Sequence, residues 1–122
     1  MTGAEGEKIA ADFLSKQGYR ILERNFRTAL GEIDLIAQDG KTLVFVEVKA
    51  RSGSRFGAPQ LAVDLRKQTK MNRIALLYLT QKKLGTCECR FDVIGIVKGA
   101  NEAATVEHFK NAFDGLETGT GC

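Results

Sequence analysis

This chain has little that could hold a soft metal or staple a fold. It has one histidine, His108, and three cysteines, of which Cys122 is the last residue. Cys87 and Cys89 stand two apart, so on a strand they point the same way, and a disulfide between them would be strained. A zinc site needs more nitrogen and sulfur ligands than this set supplies. Reduced thiols are the expectation, with Cys122 facing solvent. The single proline, Pro59, marks the exit of one loop, and neither an interdomain linker nor an internal repeat is found. No apolar run approaches membrane-spanning length. The opening residues Thr2, Gly3, Ala4 and Glu5 lack the basic-then-apolar pattern of a signal peptide. A cytoplasmic protein without a membrane partner is expected. Charge excess is also small: 18 Lys and Arg against 15 Asp and Glu leave +3. That balance suits nucleic-acid binding without requiring it, so the distribution of charge matters more.

What the chain does have is a core. Its 122 residues, 43% of them hydrophobic, lie near the usual size of one domain and need no disulfide or structural metal. The expected domain covers residues 1–113, with 114–122 a disordered tail rich in Gly and Thr.

The densest signal is Gly31-Glu32-Ile33-Asp34-Leu35-Ile36-Ala37, followed by Phe45-Val46-Glu47-Val48-Lys49. It reads as two strands joined by a turn at Asp39-Gly40, a strong hairpin marker. With those two residues as the loop, Gln38 pairs with Lys41, Asp34 stands opposite Phe45, and Glu32 opposite Glu47. Side chains alternate between faces along a strand. Glu32, Asp34, Glu47 and Lys49 then share one face, and Ile33, Leu35, Ala37, Val44, Val46, Val48 and Ala50 form an apolar opposite face.

Carboxylates on neighbouring strands repel unless a cation lies between them. A hard divalent ion, Mg2+ or Mn2+, takes oxygen ligands and is commonly held by one or two carboxylates with water and substrate phosphate. Such an ion activates water and polarises a phosphodiester. By itself, Glu47-x-Lys49 on a strand is more often a solvated ion pair worth under about 1 kcal/mol. Asp34 at a compatible register and the apolar opposite face raise it above that reading.

The arrangement resembles the PD-(D/E)XK nuclease superfamily, in which an acidic residue is followed by Glu/Asp-x-Lys on the next strand. Asp34 matches the first acid, Glu47 the second and Lys49 the lysine. Glu7, in Gly6-Glu7-Lys8, matches the glutamate that the first helix often adds. Ile33 stands where a proline often precedes the first acid. Gly6-Glu7, Gly31 to Ile36, Val46-Glu47-Val48-Lys49-x-Arg51, Phe56-Gly57-x-Pro59 and Arg90 to Ile94 occur in this order. Together they resemble the bacterial YraN-like proteins, a family similar in fold and site pattern to archaeal Holliday-junction resolvases. The resemblance runs from about Gly3 to Phe113. It implies a restriction-endonuclease-like α/β core, a mixed sheet flanked by helices. It also implies Asp34, Glu47 and Glu7 as metal ligands, Lys49 as a catalytic lysine, DNA as partner and a homodimer.

The rest of the chain fits that order. A first helix is expected over about Ala4–Gln17, with Ile9, Ala10, Phe13, Leu14 and Gln17 as its buried stripe and Gly18 as its stop. Glu7 flanks the stripe, where it either leans toward the sheet or serves as helix N-terminal charge. A first strand over Tyr19–Phe26 has an untidy pattern. A Gly/Ser loop over Ser52–Ala58 carries Arg51 and Arg55, suited to phosphate approach. Phe56 within it reads as a core cap ahead of a base-stacking residue. A second helix over Asp64–Gln81, N-capped by Asp64, sets a basic edge of Lys67 and Lys70 beside its core stripe. Lys67 or Gln68 is also placed to stand beside a metal site. A strand over Cys87–Val97 puts Asp92 among apolar neighbours, so Asp92 needs a partner such as Arg90. Thr105–Phe109 is a last short strand.

The sequence reading is therefore a metal-dependent DNA endonuclease acting on shape, such as branched DNA, because no base-reading motif is present. Arg51, Arg55, Lys67 and Lys70 hold phosphates in that reading. Two alternatives remain at this point: a nucleic-acid-binding module with the nuclease fold and no catalysis, and a protein-interaction domain with a solvated acidic face.

Overall fold

The computed structural model describes residues 2–52, 63–84, 87–98 and 103–114. Its elements run α1 (Gly3–Lys16), β1 (Arg20–Thr28), β2 (Gly31–Asp39), β3 (Thr42–Ser52), α2 (Leu65–Gln81), β4 (Glu88–Lys98) and β5 (Ala104–Phe113). The five strands form one mixed sheet in chain order. Neighbours are antiparallel except β3 and β4, which are parallel and joined through α2. That parallel pair requires a crossover, and α2 supplies it. The expected α/β architecture, a mixed sheet flanked by helices, is what forms.

Both helices start where a cap can satisfy their free N–H groups. Thr2 Oγ1 accepts from the Glu5 N–H at 3.1 Å and Glu5 Oε1 accepts from the Thr2 N–H at 3.2 Å, a reciprocal capping box. Asp64 caps α2 as expected, accepting from the Lys67 N–H at 2.8 Å. α1 ends where Gly18 takes a φ of +94° and the Tyr19 N–H reaches back to the Leu14 carbonyl. The α1 stripe stops at Leu14: Gln17, counted as its last member, is an exposed C-cap.

The sheet is covered on both faces, which corrects the expectation of one apolar and one charged face. Ala10, Ala11 and Leu14 of α1 bury against Leu35, Ala37, Val44, Val46, Ile94 and Ile96. Met71, Ile74, Ala75 and Tyr78 of α2 bury against Ile33, Ile36, Leu43, Phe45, Phe91 and Val93. Glu47 therefore continues a row, Leu43 and Phe45, that is core beneath α2. Ile33 and Ile36 share that core, so strict alternation slips at Asp34 between them.

The hairpin register also differs from expectation. Asp39 pairs with Thr42 and Leu35 with Val46, leaving Gly40 and Lys41 as the loop. Gly40 at φ +62° is the one of the two with positive φ, the requirement of a II′ turn at its first central position. Asp39 stays in the ladder, where its carboxylate accepts from Arg90 Nη1 at 3.2 Å. The slip is two residues, an even number, so faces are kept. With it Asp34 falls just beyond the paired ladder, where its carboxylate accepts the Val48 N–H instead of facing Phe45.

β1 is untidy in sequence because it is irregular in space. Leu22 is the extra residue between paired Ile21 and Glu23, and Asn25 takes φ +52°. β5 runs through Asn111, also at φ +52°, to Phe113, longer than the short strand expected. Cys87 keeps a thiol whose pKa burial pushes up. Arg55, Phe56, the Gly/Ser loop and the tail fall outside the described residues.

At Gly31, φ is +138°, and an added Cβ would meet Lys70 Cδ at 3.0 Å and Ile74 Cδ1 at 3.6 Å. The β1–β2 turn presses on α2 through this glycine. Gly31→Ala is expected to cost about 1–3 kcal/mol by backbone strain, read as a lower midpoint in urea unfolding. An unchanged midpoint would mean that the turn relaxes without cost.

One buried polar cluster fastens β4 to its surroundings. Asp92 is fully buried. Its oxygens accept from Arg90 Nε at 2.9 Å and Nη2 at 3.1 Å, meet His108 Nε2 at 2.7 Å, and accept from the Asn111 N–H at 2.9 Å. Arg90 Nη2 also donates to the Tyr19 hydroxyl at 2.7 Å. Burial alone would raise the Asp92 pKa, but the hydrogen bonds from His108, Arg90 and Asn111 outweigh it and hold it below the ordinary value. Arg90 is the partner expected for Asp92; His108 and Asn111 are additions from β5.

Candidate functional site

At one end of the sheet a cavity of about 360 Å³ opens, lined by Gly3, Glu7, Glu32, Asp34, Glu47, Val48, Ala50 and Lys67. Four elements build it. α1 contributes its first turns, β2 and β3 contribute the acids, and α2 contributes Lys67.

Local structure explains each placement. Gly6 is buried in α1, and a Cβ there would meet Ala50 Cβ at 3.2 Å. Only a residue without a side chain lets the helix come this close to β3, and the next residue, Glu7, is thereby carried to the cavity. Of the two readings of Glu7, the structure places it at the site and in the first turns of the helix together. Asp34 sits where the β2–β3 ladder gives way, and its Oδ2 accepts the Val48 N–H at 2.8 Å. A side chain thus replaces a strand carbonyl as the partner of that amide.

Glu47 is only 4% exposed, and a carboxylate so buried needs cations or donors. It has two. Lys67 Nζ lies 2.6 Å from Glu47 Oε2, and Lys49 Nζ lies 3.5 Å from the same atom. Burial lowers the Lys67 pKa, but its bond to Glu47 and the charges of Glu47 and Asp34 raise it by more, so it stays charged.

Asp34 is pushed up to about 7. Burial from water is the largest cause, and the negative charges of Glu47 and Glu7 add to it, against the pull of the Val48 N–H. A folded carboxyl raised above its ordinary 3.8 holds a proton that the unfolded chain has already released. Stability contributed by this group is therefore lost as pH rises from about 4 through 7. In metal-free protein the loss is on the order of 3 kcal/mol, allowing for partial exposure. Asp34→Asn should flatten the pH dependence of urea unfolding between pH 4 and 8. An equally steep profile in the variant would remove Asp34 as its source.

The donor chemistry here suits a hard divalent ion: closely set carboxylates, one of them destabilised as an anion. Among the described residues no group of three or more His, Cys, Asp or Glu already encloses an ion position. An ion would rest on two carboxylates and fill its shell with water and substrate oxygen, as Mg2+ commonly does.

The other residues singled out in the sequence are distributed as follows. Glu32 lines the cavity but is exposed, its Oε2 3.1 Å from Arg27 Nε. Lys67, expected among the phosphate contacts and also beside the metal site, lies directly on Glu47. Lys70 is absent from the cavity lining and faces a neighbouring groove. Arg51 stands near the end of β3 at the level of Val97, and Arg55 lies outside the described residues. The Lys67–Glu47 contact was only half legible: a helical lysine beside the site can be read from spacing, its exact carboxylate partner cannot.

No described helix is long and apolar enough to cross a membrane. The chain is similar to the UPF0102 protein of Geotalea daltonii, 52% identical over 112 residues, which cover 92% of this chain and 88% of that one. It is 49% identical over 113 residues to the UPF0102 protein of Trichlorobacter lovleyi, covering 92% and 89%. It is 48% identical over 111 residues to UPF0102 protein THEYE_A1950 of Thermodesulfovibrio yellowstonii, covering 91% and 94%. The family described as "Uncharacterised protein family UPF0102" matches residues 6–96, a stretch that contains Glu7, Asp34, Glu47, Lys49 and Lys67. The YraN-like resemblance of the motifs and these matches agree, and the chain belongs to the UPF0102 (YraN) family.

Proposed function

We propose that this protein is a divalent-metal-dependent DNA endonuclease of the PD-(D/E)XK type that hydrolyses phosphodiester bonds in branched DNA. The observation that supports the reading most is the convergence of Asp34, Glu47 and Lys67 in one open cavity, with Lys49 3.5 Å from Glu47 and Asp34 pushed up to about 7. A purely solvated acidic face would not bury Glu47 to 4% exposure.

Asp34 and Glu47 would hold Mg2+ or Mn2+, with Glu7 at the cavity wall adding negative charge around the ion. The ion, when bound, supplies an acidic water and a polarised phosphodiester. The chain's own residues do the rest. Asp34, charged only when its proton is displaced, becomes a full ligand at neutral pH once a cation offsets Glu47 and Glu7. Lys67 neutralises Glu47 in the cation-free site. Lys49, more loosely set at 3.5 Å, is the ammonium freer to orient the attacking water or to meet charge developing on the phosphate. Arg51, Arg55 and Lys70 serve the flanking phosphates, and a homodimer would give two symmetric cuts.

The test is cleavage of labelled duplex, single-strand, flap and four-way-junction DNA with Mg2+, Mn2+ or EDTA. Cutting that needs the metal supports the reading and shows the preferred shape. Tight binding to one shape with no cutting under any metal would favour the binding module. Lys49→Ala should abolish cutting with a thermal midpoint near wild type, since a strand lysine at the surface adds little stability. Cutting at the wild-type rate would take Lys49 out of the mechanism.

A further inference from the structure

Beside the acidic cavity lies a second groove of about 290 Å³, lined by Leu30, Arg66, Thr69, Lys70 and Arg73. We propose that this groove is a docking track for the phosphate backbone of one DNA strand leaving the acidic cavity. The inference rests on the nuclease reading for the direction of the track and deepens it by naming where the substrate arm lies.

The sequence builds the groove. Positions 66, 69, 70 and 73 fall three, four and seven apart, one stripe of a helix. The stripe through Met71, Ile74, Ala75 and Tyr78 is buried, so the cationic stripe is left outward. α2 carries Arg66, Lys67, Lys70 and Arg73 and no Asp or Glu in Leu65–Gln81. A helix that served only as a solvated face would commonly pair such charges with acids at three or four residues' distance. Here Lys67 is committed to Glu47. Arg66, Lys70 and Arg73 form no ion pair among the described residues and line one groove together on a helix stripe that carries no acid. Three cations are thus left for an external anion; the Thr69 hydroxyl between them donates to the Leu65 carbonyl at 3.1 Å.

The two sites share their walls. On α2, Lys67 lines the acidic cavity and its neighbour Arg66 lines the groove. On the sheet side, Glu32 lines the cavity and Leu30 the groove, with Gly31 packed on Lys70 between them. A polymer lying in one runs into the other. Arg66 to Arg73 spans about 10 Å along the helix axis, over which one duplex strand presents about three phosphates. Three unpaired cations over that length fit a polyanion of fixed spacing. Because the contacts are to phosphate, they position DNA without reading its sequence.

The experiment is binding, measured by fluorescence anisotropy in EDTA so that no cutting is involved, with the full chain and labelled duplex and four-way junction. Salt is varied from 50 to 200 mM. Arg66→Gln/Lys70→Gln/Arg73→Gln should lower the slope of log K against log salt by about 3, so wild type loses about 40-fold more affinity than the variant over this range. Arg73→Gln alone should lower the slope by about 1 and serves if the triple variant folds poorly by thermal unfolding. Unchanged slopes in both variants, or poly-glutamate binding as tight as DNA that these substitutions abolish, would overturn the proposal. If the slopes fall as expected but wild type never cuts with metal, the track stands and the nuclease reading falls. Metal-dependent cutting with wild-type KM in the triple variant has the reverse meaning.

Discussion

Glu47→Ala should lower metal-dependent DNA cleavage on the order of 1,000-fold or more while leaving the protein folded and able to bind DNA. The residue sits at the centre of the site, with Lys67 at 2.6 Å and Lys49 at 3.5 Å on one oxygen. Removing it takes away one of the two carboxylates that would hold the ion. Several kcal/mol of Lewis-acid stabilisation go with it, at a factor of ten for each 1.36 kcal/mol. Binding is expected to survive or tighten, because an anion that repels phosphate is lost and two ammonium groups are released. Stability changes for opposed reasons: a small cavity forms, and Lys67 keeps Asp34 as a neighbouring charge. The measurement is single-turnover cleavage beside anisotropy binding. Cleavage within tenfold of wild type would move catalysis away from this cavity. Loss of binding and cleavage together, with a normal thermal midpoint, would make Glu47 a binding residue instead.

Asp92→Ala should be the most damaging single change to stability away from the site, costing about 3–5 kcal/mol. Asp92 has no exposure and is the shared acceptor for Arg90, His108 and the Asn111 N–H. Alanine would leave the Arg90 guanidinium, itself mostly buried, with Asp39 and Tyr19 as partners. It would also leave the backbone of β5 at Asn111 without its acceptor. Asp92→Asn keeps one acceptor oxygen and should lose less. Urea unfolding of the two variants gives the comparison. If alanine and asparagine cost the same and both stay under about 1 kcal/mol, the cluster is not a fastening of β4 to β5. Because the Asp92 pKa is held below its ordinary value, its contribution is present above about pH 4. It is lost as pH falls through the folded pKa, so the difference between wild type and Asp92→Ala should shrink in acid. That is the opposite sign to Asp34.

Much of this was legible from local rules. The cap at Asp64 and the stop at Gly18 follow from side-chain chemistry within a few residues, and each formed as read. The register did not. A hairpin turn can be placed on Asp39-Gly40 or on Gly40-Lys41 with nearly equal local merit. The structure takes Gly40-Lys41, and Asp39, kept in the ladder opposite Thr42, meets Arg90, 51 residues away. The slip at Asp34 is also nonlocal, since it depends on Ile33 meeting α2 while Leu35 meets α1.

By itself, then, the sequence determined the element types, the helix ends and the residue kinds of the site, because these depend on periodicity and capping over short spans. It also determined that Glu47 and Lys49 would share a face, because residues two apart on a strand point the same way. Only the tertiary structure decided that Asp34 accepts the Val48 N–H beside Glu47, that Lys67 lies on Glu47, and that Arg66, Lys70 and Arg73 are left unpaired beside them. It alone decided too that His108 completes the Asp92 cluster. Those outcomes depend on how closely α1 and α2 approach the sheet at Gly6 and Gly31, a distance set by packing between residues far apart in the chain.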